Sequence, residues 1–220
     1  MSTLLKTYGP MILKALLETG WMLLISGAAA LIVGLPLGTL IYLNRGRKTI
    51  KQRVLLTILN GYVNIVRSFP FILFIVAMIP LTRWVVGTSF GTLAGSFPLA
   101  FIGVALYARL CEQALLEVPQ GINKSATAMG ATSLQHIRYF LYPEARSGLV
   151  LGLTSTLISL ISYSTIMGVI GGGGIGDFAM KYGYQLYQYD VMYLTIVLMI
   201  VLVQLIQWGG SYIARIIDYR

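Results

Sequence analysis

Long runs without a single charge alternate along the chain with short, polar, mostly basic stretches. Trp21 to Leu43 is 23 residues free of Asp, Glu, Lys and Arg, enough for a helix to cross a hydrocarbon core about 30 Å thick even with Pro36 inside it. Asn44 to Arg53 then holds Arg45, Arg47, Lys48, Lys51 and Arg53, and the apolar stretch after it, Val54 to Thr82, is interrupted only by Arg67. From Arg83 the chain stays uncharged to Ala108, where Gly87, Gly91, Gly95 and Pro98 predict a turn followed by a helix. A polar segment from Arg109 to Arg146 separates this from two further uncharged runs, Ser147 to Gly176 and Val191 to Ala214. The pattern predicts an all-α integral membrane protein with one domain, 1–220, and five transmembrane helices at about 18–43, 62–83, 93–112, 146–170 and 190–214.

Composition agrees: 57% of the residues are hydrophobic and 10% charged, against roughly a quarter charged in soluble domains. The net charge of +9 does not point to nucleic acid, because the basic residues fall between the apolar runs. With five spans and the N-terminus outside, the cytoplasmic side takes Arg45, Arg47, Lys48, Lys51, Arg53, Arg109, Lys124, Arg138, Arg146, Arg215 and Arg220. The outer side takes only Lys6, Lys14, Arg83 and Lys181, so the positive-inside rule predicts N-out, C-in and places 117–143 in the cytoplasm. Lys6 and Lys14 precede the first apolar run without a convincing small-residue cleavage site, so that run is expected to be retained. With Cys111 the one cysteine and His136 the one histidine, neither a disulfide framework nor a Cys/His metal site is expected.

Segment 117–143 is the most informative. Pro119 and Gly121 break the preceding helix, a small-residue piece follows (Ser125, Ala126, Ala128, Gly130, Ala131), and Thr132 to Gln135 reads as a capping box that opens a second helix, expected to end at Pro143. Small residues let a partner's surface approach the backbone. An ordinary amphipathic loop lying on lipid headgroups fits the same residues.

Ala128-Met129-Gly130-Ala131-Thr132, followed by Pro143-Glu144-Ala145, resembles the cytoplasmic "EAA" loop of binding-protein-dependent ABC importer permeases. Here Lys124, Ser125 and Ala126 stand where that family carries glutamate and two alanines, which reverses one charge. The resemblance extends from about Glu18 to Arg215. Val63 to Phe71, Met78 to Arg83, Val86-Gly87-Thr88, Glu112 to Pro119 and Tyr182-Gly183-Tyr184 are similar to methionine importer permeases in particular. It implies a type I permease of the bacterial plasma membrane that pairs with a second copy of itself. The implied partners are a cytoplasmic ATPase dimer, which docks at 117–143 and binds ATP and Mg, and an external substrate-binding protein that delivers the amino acid. Lys124, Ser125, Ala126, Ala128, Met129, Gly130, Ala131, Thr132 and Pro143 are the residues it assigns to coupling.

No G-x-x-x-x-G-K-[ST] phosphate loop occurs in the chain, so no nucleotide is expected to bind here in that way and no catalysis is expected. Gly171, Gly173 and Gly176 satisfy G-x-G-x-x-G but follow an apolar span and not a strand, and read as a flexible, tightly turning outer loop. Ser155, Ser159 and Ser162 form one polar stripe near Met167, a candidate lining for a translocation pathway, although hydroxyls in membrane helices often bond back to their own carbonyls. Arg67, beside Ser68, Phe69 and Pro70, is the one charge expected within a span. It either marks that pathway or snorkels to an interface. Gly34/Gly38, Gly148/Gly152 and Gly168/Gly172 are close-packing pairs, within the subunit or across a dimer. His136 reads as a surface residue and Cys111 as a buried helix-end side chain, neither with partners. Glu112, Glu117 and Glu144 are expected to pair with a partner protein or with Arg109 and Arg146. The expected function is the permease of an ATP-driven methionine importer. Other amino acids or an osmolyte are alternatives, and a gradient-driven carrier is disfavoured because none of the seven acidic residues lies inside a confident span.

Overall fold

A computed structural model of the chain describes residues 2–45 and 49–218, with side chains from Tyr8 onward. Arg47, Lys48, Arg220 and the side chain of Lys6 lie outside the described residues. Every regular element described is helical. α1 (Ser2–Ala29) runs through a π-helical turn (Ala30–Gly34) into α2 (Leu35–Asn44). α3 (Ile50–Ser68), α4 (Phe71–Val86) and α5 (Thr92–Leu116) follow. Then come two short helices, α6 (Gln120–Ala128) and α7 (Ser133–Gln135). A second π segment (His136–Leu141) leads into α8 (Tyr142–Val169). Finally α9 (Gly174–Phe178) continues through a third π segment (Ala179–Gln185), and α10 (Tyr189–Ile217) ends the bundle.

Four helical lengths are long and apolar enough to cross a membrane: Tyr8–Asn44, Thr92–Leu116, Ser133–Val169 and Tyr189–Ile217. They contain nearly all of the ranges 18–43, 93–112, 146–170 and 190–214. The range 62–83 departs from expectation, because it is not one straight helix: α3 and α4 meet at a bend of 117°. Pro70 has no N–H to donate and drives the residue before it out of the α region, and Phe69 is accordingly extended at φ −72°, ψ 131°. α4, 16 residues and so about 24 Å long, does not span a full hydrocarbon core without the end of α3.

Pro143 also departs from expectation. It does not end the helix begun at Ser133, which continues to Val169. A proline ring crowds the carbonyl four residues back, and a wider π turn relieves that crowding. Pro143 stands two residues after the π segment ending at Leu141, as Pro36 stands two residues after the one ending at Gly34.

α5 is the hub, packed against α1, α2, α3, α4 and α8, with Leu99, Ala105, Ala108, Cys111 and Leu115 fully buried. Helices among lipid gain little from hydrophobic burial against one another, so they associate by close van der Waals packing, which small residues permit. A Cβ on Gly38 would lie 2.3 Å from the Ala108 carbonyl oxygen, and one on Gly152 3.1 Å from the Leu110 Cβ. Gly34/Gly38 therefore seat α2 on α5, and Gly148/Gly152 seat α8 on α5. Both pairs work within the subunit. α10 packs mainly on α8 and the third π segment, and its first turns also meet α1, where Val191 and Leu194 join Ile12 and Ala15 in one cluster. Its outer face, with Ile200, Leu205 and Trp208, is exposed.

Candidate functional site

Three features meet the expectations for a site: the small-residue segment between α5 and α8, the charge cluster above it, and a polar groove near Arg67. In the first, α6 ends in a Schellman motif: the Ala131 N–H donates to the Ala126 carbonyl and the Gly130 N–H to the Thr127 carbonyl. Gly130 occupies the left-handed region at φ +68°, where only glycine sits without strain. Thr132 then caps α7: its hydroxyl accepts from the Gln135 N–H, and the Gln135 Oε1 accepts from the Thr132 N–H at 2.9 Å. The predicted capping box is present. Lys124, Ser125, Ala128, Met129, Gly130, Thr132 and Pro143 are exposed, Ala131 is half-buried, and Ala126 is buried. The space where a Gly130 side chain would stand is empty, so the apex is bare backbone flanked by small side chains.

This apex is fastened to the bundle. Val118, Leu141 and Ala145 pack with Cys111, Leu115 and Leu149 into one buried cluster, joined by Leu35, Tyr42, Ile122 and Ile137. Asn123 on α6 donates to the Tyr42 hydroxyl at 3.2 Å and lies 2.8 Å from His136 Nε2. His136 is therefore a half-buried brace between α6 and the second π segment, where the sequence suggests a surface residue. α6 is thus joined to α2 through Tyr42 and to the second π segment through His136.

Glu112 is the fully buried carboxylate of this end, at 1% exposure. Its Oε2 accepts from Arg109 at 2.5 Å, and Arg45 Nε lies 3.0 Å from Oε1. The Arg45 N–H does not point at that oxygen, so this second contact is an ion pair without a hydrogen bond. Pairing with Arg109 is as expected, whereas Arg45, 67 positions away, is brought in by the fold alone.

Nearer the middle of the bundle, Arg67, Leu106, Arg109, Leu110, Gln113, Ser155, Thr156 and Ser159 line an open groove of about 250 Å³. The structure thus brings Arg67 together with two of the three stripe serines. Ser162 is exposed and does not line the groove, and Met167 is buried in the core among Met22, Leu99 and Ile161. Ser68, Phe69 and Pro70 are exposed at the α3–α4 break. Most of the hydroxyls bond to their own helix: Thr154 to Val150, Thr156 to Gly152, Ser159 to Ser155 and Ser162 to Ile158. At the opposite end the Gly-rich loop turns through positive φ at Gly171, Gly173 and Gly174. It is tied down, because the Gly174 N–H donates to Glu18 Oε2 at 2.8 Å and the Ile175 N–H to Thr19 Oγ1 at 2.9 Å.

A model of the family "binding-protein-dependent transport system inner membrane component" matches residues 30–219. The chain belongs to that family. Within it, a probable D-methionine transport system permease protein MetI of Vibrio cholerae serotype O1 is 42% identical over 210 residues, covering 96% of this chain and 93% of that protein. The D-methionine transport system permease protein MetI of Escherichia coli K12 is 42% identical over 158 residues, covering 72% and 73%. Among solved structures, an inward-facing crystal form of the MetNI methionine ABC transporter superposes with a TM-score of 0.92 at 41% identity, covering 96% of this chain and 98% of that one. An amino acid ABC transporter crystallised with histidines shares the fold, with a TM-score of 0.79 at 20% identity.

Seen as an inner-membrane component, the chain carries three features that its sequence did not announce: the Arg45–Glu112–Arg109 cluster, the Asn123–His136 brace and the Glu18/Thr19 anchor of the Gly-rich loop. Arg45 and Glu112, and Glu18 and Gly174, are far apart in the chain, and Asn123 and His136 belong to different elements. No spacing marks them.

Proposed function

We propose that the chain is the permease subunit of an ATP-driven methionine importer, acting as a pair of copies that enclose the pathway between them. What carries this reading is the likeness along almost the whole chain to methionine permeases, one of them solved at a TM-score of 0.92. Spans at about 18–43, 62–83, 93–112, 146–170 and 190–214 hold it in the membrane, N-terminus outside and C-terminus in the cytoplasm, with the second span broken at Pro70. An ATPase dimer, which supplies the ATP and Mg chemistry, docks on the cytoplasmic segment 117–143, and an external protein delivers the substrate.

The residues of this chain would work as follows. Lys124, Ser125, Ala128, Met129 and Gly130 present a low-relief apex that fits into a groove of the ATPase. Thr132 and the Asn123–His136 brace keep the apex rigid. The apolar cluster around Leu141 and Leu115 carries its displacement into α2, α5 and α8. Small-residue contacts such as Gly38 on Ala108 let these helices move as packed units, as alternating access requires two discrete arrangements with different affinity for the substrate.

The test is reconstitution of the permease with its ATPase and binding protein in vesicles, followed by uptake of labelled methionine. Uptake that needs ATP and is competed by unlabelled methionine, but not by other amino acids or betaine, is expected. Uptake independent of ATP, or competition by betaine equal to that by methionine, would overturn the reading.

A further inference from the structure

The groove beside Arg67 holds a charge that the chain leaves without a counter-ion. Arg109, the other guanidinium at its rim, donates to Glu112. Arg67 makes no hydrogen bond or ion pair among the described residues, and no acidic side chain lines the groove. Arg67 is exposed in the last turn of α3, but the wall it faces lies deep. Ser155 and Ser159, on the opposite wall, lie roughly 12 and 18 Å along the uncharged helix from Ser147 at 1.5 Å per residue, close to the middle of the hydrocarbon core. A guanidinium at that level is retained where it faces a polar cavity and meets a partner of opposite charge.

The remaining lining shows what kind of partner fits. Ser159 donates its hydroxyl hydrogen to its own helix and Ser155 is exposed beside it, so their oxygens are available as acceptors. A cation such as an ammonium suits them. Leu106 and Leu110 add an apolar floor. An anion receptor, acceptor oxygens and an apolar wall in about 250 Å³ match a zwitterion of amino-acid size and are too small for a drug-sized ligand. Guanidinium recognises planar carboxylate through paired N–H donors, which an ammonium group on the protein does not reproduce.

We infer that Arg67 anchors an oxyanion subsite at mid-depth in the bundle, which receives the carboxylate of a zwitterionic amino acid as it passes between the two faces of the membrane. This deepens the methionine-import reading and rests on it for the identity of the substrate. A lipid phosphate offers the same chemistry, so the experiment has two arms.

In the first arm, the importer assembled from permease, ATPase and binding protein is reconstituted with wild-type chain, Arg67→Gln, Arg67→Lys or Arg83→Gln, after each complex is shown to assemble by size exclusion. Initial ATP-driven uptake of labelled methionine is expected to fall at least ~10-fold in Arg67→Gln, the size of a lost hydrogen bond to a charged group. Arg67→Lys is expected to fall between wild type and Arg67→Gln, since the charge remains but the fork is lost, and Arg83→Gln to match wild type. In the second arm, native mass spectrometry of the same complexes from vesicles containing phosphatidylglycerol counts retained lipid. Loss of retained phosphatidylglycerol in Arg67→Gln, with uptake unchanged, assigns the subsite to lipid phosphate. Unchanged uptake together with unchanged lipid retention overturns the subsite, as does an equal loss of uptake in Arg67→Lys and Arg67→Gln with retention unchanged. If wild type imports no methionine at all, the substrate reading fails separately and the lipid arm still decides the subsite.

Discussion

Replacing Gly38 by alanine tests how much of this fold depends on backbone approach between α2 and α5. The added Cβ would stand 2.3 Å from the Ala108 carbonyl oxygen and 2.8 Å from the Cys111 Cβ. Ordinary contact needs about 3.4 Å, so α2 must move off α5 by about 1 Å, because the nearest obstacle is backbone and no rotamer change removes it. Gly34 is more forgiving, with the Val104 carbonyl oxygen at 3.0 Å, and Gly61 has nothing within 4 Å. Overpacking of this kind costs about 1–3 kcal/mol. Gly38→Ala belongs at the upper end, since it also separates Thr39 from Tyr142, 2.9 Å away across the same interface. At roughly 2–4 °C per kcal/mol for a chain of this size, the apparent melting temperature in detergent is expected to fall by about 5–10 °C. Gly34→Ala should fall by less, and Gly61→Ala should be neutral or slightly stabilising because alanine is the better helix former. Thermal unfolding followed by tryptophan fluorescence or by exposure of buried Cys111 measures all three. Equal melting of Gly38→Ala and Gly61→Ala would refute the reasoning.

Glu112→Gln removes the carboxylate between Arg45 and Arg109; about 3 kcal/mol is expected, the low end for breaking a buried pair, because both arginines have some access to water. A thermal shift assay checks it, and Glu112→Gln as stable as wild type would deny the cluster a structural role. Thr132→Ala deletes the cap of α7 at a cost of about 1 kcal/mol, which is expected to speed amide exchange roughly fivefold at residues 133–136 and nowhere else. Gly130→Val forces a β-branched residue into the left-handed region at a cost of about 1–2 kcal/mol. It also fills the bare apex, so ATPase binding in a pull-down is expected to weaken, with a melting-temperature drop of about 2–8 °C.

How far the sequence reaches is visible at particular residues. The capping box at Thr132–Gln135 was legible because local hydrogen bonding sets it without help from the rest of the chain. Pro143 misled, because a proline's effect depends on whether the preceding turn widens, and His136 misled because its partner Asn123 shares no recognisable spacing with it. The stripe Ser155, Ser159 and Ser162 was legible as one face of a helix. Where along that face the groove opens, with Ser162 and Met167 left out of it, was not.

The chain by itself determined the class: apolar runs of membrane length, basic residues gathered between them and a capped small-residue segment are properties of neighbouring residues, written in linear order. Only the tertiary structure decided that Arg67 faces Ser155 and Ser159 across a groove, that Glu112 is held by Arg45 as well as Arg109, and that the glycine pairs work inside the subunit. Those contacts are chosen by how helices cross and how closely their backbones approach. Crossing geometry depends on all the helices packed around α5 at once, and no local pattern carries it.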